Sequence, residues 1–356
     1  MRFELTNEHR KYLGLELVEE QWEKKQLSDE CYIYFHGEII RKIIILRKEY
    51  YYEGQLNEET IDHRTKLVPK TSRGKEKKLT AASIQTRSCY GNYFFYNEGR
   101  VTIANNTNQQ TYYSSSMAGT NCEGIEKLGE WLDNWVTNSS EEYLVDINDF
   151  SKSKRKHYKF KEGDFFRFKI DRGLYGYGRI ILNFHRLRIE KIHFWDILMG
   201  RPLLVKVYHI VSEKELIDLE ELRQLPSTPS QFIMDNVFFY GEYEIIGNLP
   251  IHENELDFPI MYGQSISYTN RDKIMFQRGP VYKEISYSPK ILIQGDFRFN
   301  SIGFSLDVNK EVLEACIKEK SNQPYWNHRI YRNQGDLRNP ENEKIKELVL
   351  RQFGEI

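Results

Sequence analysis

Residues 164–182 read Asp164-Phe165-Phe166-Arg167-Phe168-Lys169-Ile170, then Asp171-Arg172-Gly173, then Leu174-Tyr175-Gly176-Tyr177-Gly178-Arg179-Ile180-Ile181-Leu182. Side chains alternate across a strand, so Phe166, Phe168 and Ile170 share one face. Asp-Arg-Gly is a turn signal between two apolar runs, and the stretch predicts an antiparallel hairpin. Gly176 and Gly178 stand two apart on one face of the return strand. There a missing side chain lets another backbone or a partner approach closely, and the expected use is a bend or tight packing.

Working outward, Lys206 to Val211 predicts another strand. Ser212 with Glu215 predicts a capping box for a helix whose Leu216, Leu219 and Leu222 face inward until Pro226. Val237 to Tyr240, Glu242 to Ile246 and Ile291 to Gln294 read as strands. Asp307 precedes a helix reaching about Lys318, and Asn339 with Pro340 opens a last helix. Toward the N-terminus, Thr6 caps a helix over Asn7 to Leu13. Cys31 to Phe35 and Ile39 to Leu46 form a hairpin about His36-Gly37-Glu38. Tyr50 to Glu53, Ser83 to Arg87, Tyr93 to Tyr96 and Arg100 to Ala104 read as strands. Glu123 to Val136 has helical spacing, with Thr120 and Glu123 as its capping box.

Composition agrees with a β-rich chain: 24 Tyr, 20 Phe and 34 Ile stand against 5 Ala, and β-branched and aromatic side chains suit a pleated surface better than a helix. The expected class is α+β, with two β-rich domains, each a mainly antiparallel sheet packed with one or a few helices. The chain has 356 residues, which at roughly 100 to 200 residues per domain suggests two. Residues 151–161 hold six cations (Lys152, Lys154, Arg155, Lys156, Lys159, Lys161) and no acid. This break predicts a module at 1–150, a basic linker at 151–161 and a second domain at 162–356.

With 51 Lys plus Arg against 52 Asp plus Glu, no whole-protein field exists to hold nucleic acid or anionic lipid. The longest aliphatic run, Ile43 to Leu46, is far short of the roughly 20 residues that span a bilayer. Arg2, Glu4, Glu8, His9 and Arg10 do not form a secretory core. Cys31, Cys89, Cys122 and Cys316 make no C-x-x-C pair. A cytoplasmic protein with reduced thiols, no cofactor and no membrane partner is expected.

No complete catalytic motif occurs. A metal site needs several ligands converging at about 2 Å; the nearest set is His185, His193 and Asp196, the basis of a metal-assisted phosphoester hydrolase reading. Gly263-Gln264-Ser265-Ile266-Ser267 lacks the second glycine of a nucleophile elbow, and Pro69 to Glu76 fails as a phosphate loop. The basic stretch His63 to Arg87 offers Lys70, Arg73, Lys75, Lys77 and Lys78 as anion ligands, against the single acid Glu76. A phosphate or nucleic-acid module built on them would bind with steep salt dependence. A solvated loop is the plainer expectation.

Phe160-Lys161-Glu162-Gly163-Asp164-Phe165-Phe166-Arg167-Phe168, followed by Leu174-Tyr175-Gly176-Tyr177-Gly178-Arg179-Ile180, resembles the immunity protein 26 family of bacterial polymorphic toxin systems. The G-D-x-F and Y-G-R elements carry the likeness. Tyr240-Gly241-Glu242-Tyr243-Glu244-Ile245-Ile246-Gly247-Asn248-Leu249-Pro250-Ile251 is similar to the family's later strand and its apolar proline step. The likeness extends over roughly residues 158–320. The resemblance implies an α+β protein that neutralises a cognate protein toxin by direct binding and active-site occlusion, without turnover. Some relatives carry a phosphotriesterase label, which keeps the hydrolase alternative open. Tyr175, Tyr177, Arg179 and Trp195 are the expected partner contacts, because they lie at or near the family-like hairpin and aromatic and Arg anchors dominate interfaces.

Overall fold

A computed structural model describes residues 3–70, 74–184, 202–213, 217–264, 273–286, 305–332 and 335–355. The chain divides into two compact units, Met1–Lys156 and His157–Ile356. Each is α+β.

The first unit opens with α1 (Asn7–Tyr12), capped by the Thr6 hydroxyl as expected. Strands β1 (Glu23–Ser28), β2 (Cys31–His36), β3 (Ile39–Arg47) and β4 (Tyr50–Ile61) follow, with β5 (Lys66–Leu67) and β6 (Lys77–Lys78) as a side ribbon. After α2 (Ala81–Gln85) come β7 (Tyr90–Asn97), β8 (Arg100–Asn105), β9 (Gln110–Ser114), α3 (Ser115–Ala118), α4 (Leu128–Thr137) and α5 (Glu141–Lys152). The main path of the sheet runs β1-β2-β3-β4-β7-β8-β9, antiparallel throughout. Tyr51, Phe94, Tyr96, Ile103 and Tyr112 on one face pack with Leu128, Leu132, Trp135 and Ile147 of α4 and α5. Cys31, Ile33, Ile43 and Leu56 form a second core with Ile84 of α2.

Two expectations fail here for local reasons. Ser83 to Arg87 is not a strand: the Thr80 hydroxyl accepts from the Ser83 N–H and the Ser83 hydroxyl from the Thr80 N–H, so a reciprocal cap starts α2. The Thr120 and Glu123 box is also absent, since the Thr120 hydroxyl lies 2.6 Å from that of Tyr113. A 3-10 turn over Ile125–Lys127 leads into α4 instead. α5 runs through Ser151 and Lys152, into the stretch expected as linker.

In the second unit the expected hairpin is β10 (Asp164–Asp171) and β11 (Leu174–Asn183). Strand β12 (Pro202–Ser212), α6 (Leu219–Gln224), β13 (Gln231–Met234), α7 (Asn236–Phe239) and β14 (Tyr243–Asn248) complete a five-stranded sheet ordered β13-β12-β11-β10-β14. Strands β15 (Ile260–Gln264), β16 (Lys273–Arg278) and β17 (Val281–Ser286) form a second sheet, followed by α8 (Lys310–Glu319), α9 (Gln323–Asn327) and α10 (Glu343–Gln352). Met261 of β15 shares a core with Ile181, Leu204 and Phe232. Phe276 and Tyr262 pack with Val349 and Phe353 at the C-terminal helix.

Glu215 of the expected Ser212 and Glu215 box lies outside the described residues; α6 is started by Asp218, whose carboxylate accepts from the Glu220 and Glu221 N–H groups. Val237 to Tyr240 is the helical turn α7 rather than a strand, because that turn places Phe238 against Phe166 and Tyr243. Ile291 to Gln294 lies outside the described residues.

Candidate functional site

The family-like segments converge on one buried nucleus in the second unit. Residues alternate across β10 and β11, and the antiparallel register sets Phe165 opposite Arg179 and Arg167 opposite Tyr177. Arg179 is fully buried. Its Nη2 donates to the carbonyl oxygens of Leu249 and Pro250 at 2.8 and 2.9 Å, and its Nη1 donates to the Glu255 carboxylate. The guanidinium also lies over the Phe165 ring, 4.4 Å from its centroid, a favourable cation–π arrangement in a desolvated site. Glu255 in turn accepts from the His252 N–H at 2.8 Å. Lys206 Nζ stands 3.9 Å from Glu255, and burial pushes that ammonium below its ordinary pKa against the pull of the carboxylate.

The G-D element closes the other side of the same nucleus. Gly163 donates to Ile180 O at 2.9 Å and accepts from Leu249 N–H at 3.2 Å. Its φ of +85° is left-handed, and a Cβ there would strike the Leu249 carbonyl; only glycine meets both demands. Asp164 accepts from Lys161 N–H and from Asn248 Nδ2, each at 2.7 Å, while burial pushes its carboxyl up. On the opposite face, Gly178 and Gly176 leave room for the rings of Phe166 and Phe168. The short motifs are therefore the fold's fasteners.

This corrects the expected contact set. Tyr177 and Arg179 are both 0% exposed, with Tyr177 in the core beside Phe165, Tyr208 and Leu222, so neither meets a partner at the surface. Trp195 lies outside the described residues. Of the three described, Tyr175 is part-exposed, and Arg167 lies over its ring at 4.9 Å. Arg167 also pairs with Glu244 at 2.7 Å.

The expected anion-binding residues lie in the first unit. Lys70 is tied to Glu58 at 2.7 Å, and Arg87 reaches the same carboxylate at 3.4 Å. Lys66 pairs with Asp62 and Glu76, and Arg64 with Glu23. Glu23 and Glu58 from earlier strands, with the nearby Asp62 and Glu76, thus neutralise part of the stretch that reads as strongly basic. Lys75, Lys77 and Lys78 are exposed on and beside the β5–β6 ribbon, whereas Arg73 lies outside the described residues. His185, His193 and Asp196 also lie outside them, and among the described residues no group of three or more His, Cys, Asp or Glu could share an ion.

One polar cluster escaped the sequence reading. Glu53 is fully buried, its Oε1 2.8 Å from both Arg10 Nε and Lys42 Nζ, and its Oε2 accepts from the Tyr51 hydroxyl at 2.8 Å. Lys42 Nζ also donates to Glu16 O at 2.8 Å. Burial raises the Glu53 carboxyl, but Lys42 and Arg10 outweigh it and hold the group below the usual carboxylate range. The available signal was Lys42, which with Arg41 interrupts the otherwise aliphatic run Ile39 to Leu46. With every charge paired and closed to water, the cluster braces α1 against β3 and β4.

Comparison with known proteins places the nucleus in a family context. The model of the family Immunity protein 26 matches residues 161–272. The match covers less than a third of the chain and stops well before residue 320, the end of the likeness expected from sequence. It takes in β10 to β15 and every member of the Arg179 nucleus. No curated protein and no solved structure matches the chain.

Proposed function

We propose that this protein confers immunity by binding a cognate protein toxin in the cytoplasm and covering its active site, with the second unit making the contact and no chemical turnover. The observation that carries the reading is the family match over residues 161–272, since an immunity family implies a toxin partner. The architecture supports it: a sheet locked by the Arg179 nucleus offers a rigid platform, and rigid surfaces bind with less ordering cost. The contact surface proposed is the part-exposed end of the β10–β11 hairpin, where Arg167 is already stacked on Tyr175 and paired with Glu244. Pre-set Arg and Tyr side chains are the residue types that most often dominate an interface.

The test is capture of partners by the tagged full chain from its source cells, with mass spectrometry, read beside the product of the neighbouring gene. Stoichiometric recovery of a toxin or toxin domain is expected. Tyr175→Ala and Arg167→Ala should each weaken that complex about tenfold or more. Recovery of no protein partner overturns the reading; an unchanged affinity in both variants moves the contact elsewhere on the unit.

A further inference from the structure

The first unit carries a cleft of about 690 Å³ that the toxin-binding reading does not use, within the range of small-molecule sites. It opens on the helix-bearing face of the sheet, between the end of α1 and the end of α5. Gln55 and Tyr90 sit directly opposite each other in the β4–β7 ladder and both line it, so their side chains are neighbours on one face. Gln55 is 7% exposed, yet among the described residues its carboxamide has no hydrogen-bond partner. Its amide oxygen and nitrogen are not among the sealed polar atoms that lack a partner, so they open on the cleft, where a ligand can take the place of water on them. A Cβ at Gly91 would lie 2.8 Å from Gln55 Oε1, so glycine there keeps the carboxamide uncovered.

The rest of the lining has a definite chemistry. Lys11, Lys152 and Lys154 contribute cations, and the latter two have no ion-pair partner among the described residues. The rim that bears them is anchored: Asn105 Nδ2 donates to Ser151 O at 3.3 Å, and Asn108 Nδ2 to Ser153 Oγ at 2.6 Å. Glu16 is the acid of the lining, its Oε2 3.4 Å from the Tyr90 hydroxyl.

From these groups we infer that the cleft binds a nucleoside phosphate. The phosphate is held by the lysine rim. The base stacks on the Tyr90 ring and presents its edge to Gln55, whose carboxamide offers one donor side and one acceptor side to a matching pair. Glu16 accepts from the sugar hydroxyls.

Calorimetric titration of the full chain with the four ribonucleoside monophosphates, inorganic phosphate and the unphosphorylated nucleosides tests the inference. At least one monophosphate should saturate with Kd below about 1 mM. Phosphate and the matching nucleoside should each bind about tenfold more weakly or worse. The exposed pair Lys152→Ala/Lys154→Ala should lose about tenfold for the nucleotide, and Gln55→Leu, which breaks no internal hydrogen bond, should erase the preference among bases. Absence of saturation by all four nucleotides, equal affinity for inorganic phosphate, or an unchanged Kd in the lysine double variant would each overturn it.

Discussion

Replacing Arg179 by Ala tests whether the Arg179 nucleus holds the second unit together. The substitution strands Glu255, which is 7% exposed and keeps the His252 N–H at 2.8 Å and, as its one remaining cation among the described residues, Lys206 at 3.9 Å. It also removes the donor from the carbonyls of Leu249 and Pro250. Breaking one side of a buried pair costs about 3–5 kcal/mol, and each carbonyl left dry adds about 1 kcal/mol or more. Because these effects share one site and do not simply add, a loss of about 4 kcal/mol is expected, a large share of a typical domain's stability. Arg179→Lys keeps the charge but not the planar fork, and should lose about half as much. Adding Glu255→Gln to Arg179→Ala should restore about 2 kcal/mol, since no charge is then stranded. Tryptophan emission would mix both units, with Trp22, Trp131 and Trp135 in the first. Amide exchange read by mass spectrometry on peptides from β10 to β12 reports this unit alone. A loss under about 1 kcal/mol for Arg179→Ala, or a Lys variant as stable as the parent, would refute the argument.

Three further outcomes follow from other sites. Gly163→Ala and Gly173→Ala both place a side chain at left-handed φ, +85° and +63°, but only the first meets a backbone carbonyl. Gly173→Ala should cost about 1 kcal/mol and Gly163→Ala clearly more, and equal midpoints in urea would contradict this. Glu53→Leu leaves Arg10 and Lys42 buried without their acid and should cost about 3–5 kcal/mol, whereas Lys42→Met leaves the Arg10–Glu53 pair and should cost less; a reversed order in thermal unfolding would refute the ranking. Burial lowers the pKa of His209 below the ordinary 6.5, opposed by its 2.9 Å contact with Asn322. The folded state then binds fewer protons than the unfolded, so this contribution is complete above pH 6.5 and lost as pH falls through and below it. His209→Gln should flatten that part of the stability profile, and a slope between pH 7 and pH 5 identical to the parent's would exclude the role.

Legibility in the sequence followed the range of the forces involved. The β10–β11 and β2–β3 hairpins are written in adjacent residues, as alternation plus a turn, and both stand where that pattern puts them. Alternation gives the wrong element where a side-chain cap competes with it, as at Thr80 and Ser83, or where one aromatic seeks a distant cluster, as Phe238 does. The strand expected over Tyr50 to Glu53 runs on in β4 to Ile61 through the polar Gln55, Asn57, Glu58, Glu59 and Thr60, because Glu53 and Glu58 are tolerated there only through cations from elsewhere. The contact residues were misjudged for a related reason. A Tyr or Arg in a recognisable motif looks the same whether it anchors a partner or a neighbouring loop, and the loop that claims Arg179 lies some seventy residues away at Leu249 and Pro250.

The paired glycines of β11 look equivalent, but they constrain divergence differently. At Gly176 the three atoms nearest to a Cβ would all belong to the Phe168 ring, the nearest approach 2.6 Å. Volume can therefore be exchanged between these two positions, and a descendant with alanine at 176 should carry a smaller side chain at 168. At Gly178 the added atom would overlap the Phe166 ring and also lie 2.7 Å from the carbonyl oxygen of Lys206. No trade at 166 relieves a collision with main chain. One glycine should drift in concert with its partner while the other stays invariant, so an alignment of descendants would separate two residues that a single sequence presents as twins.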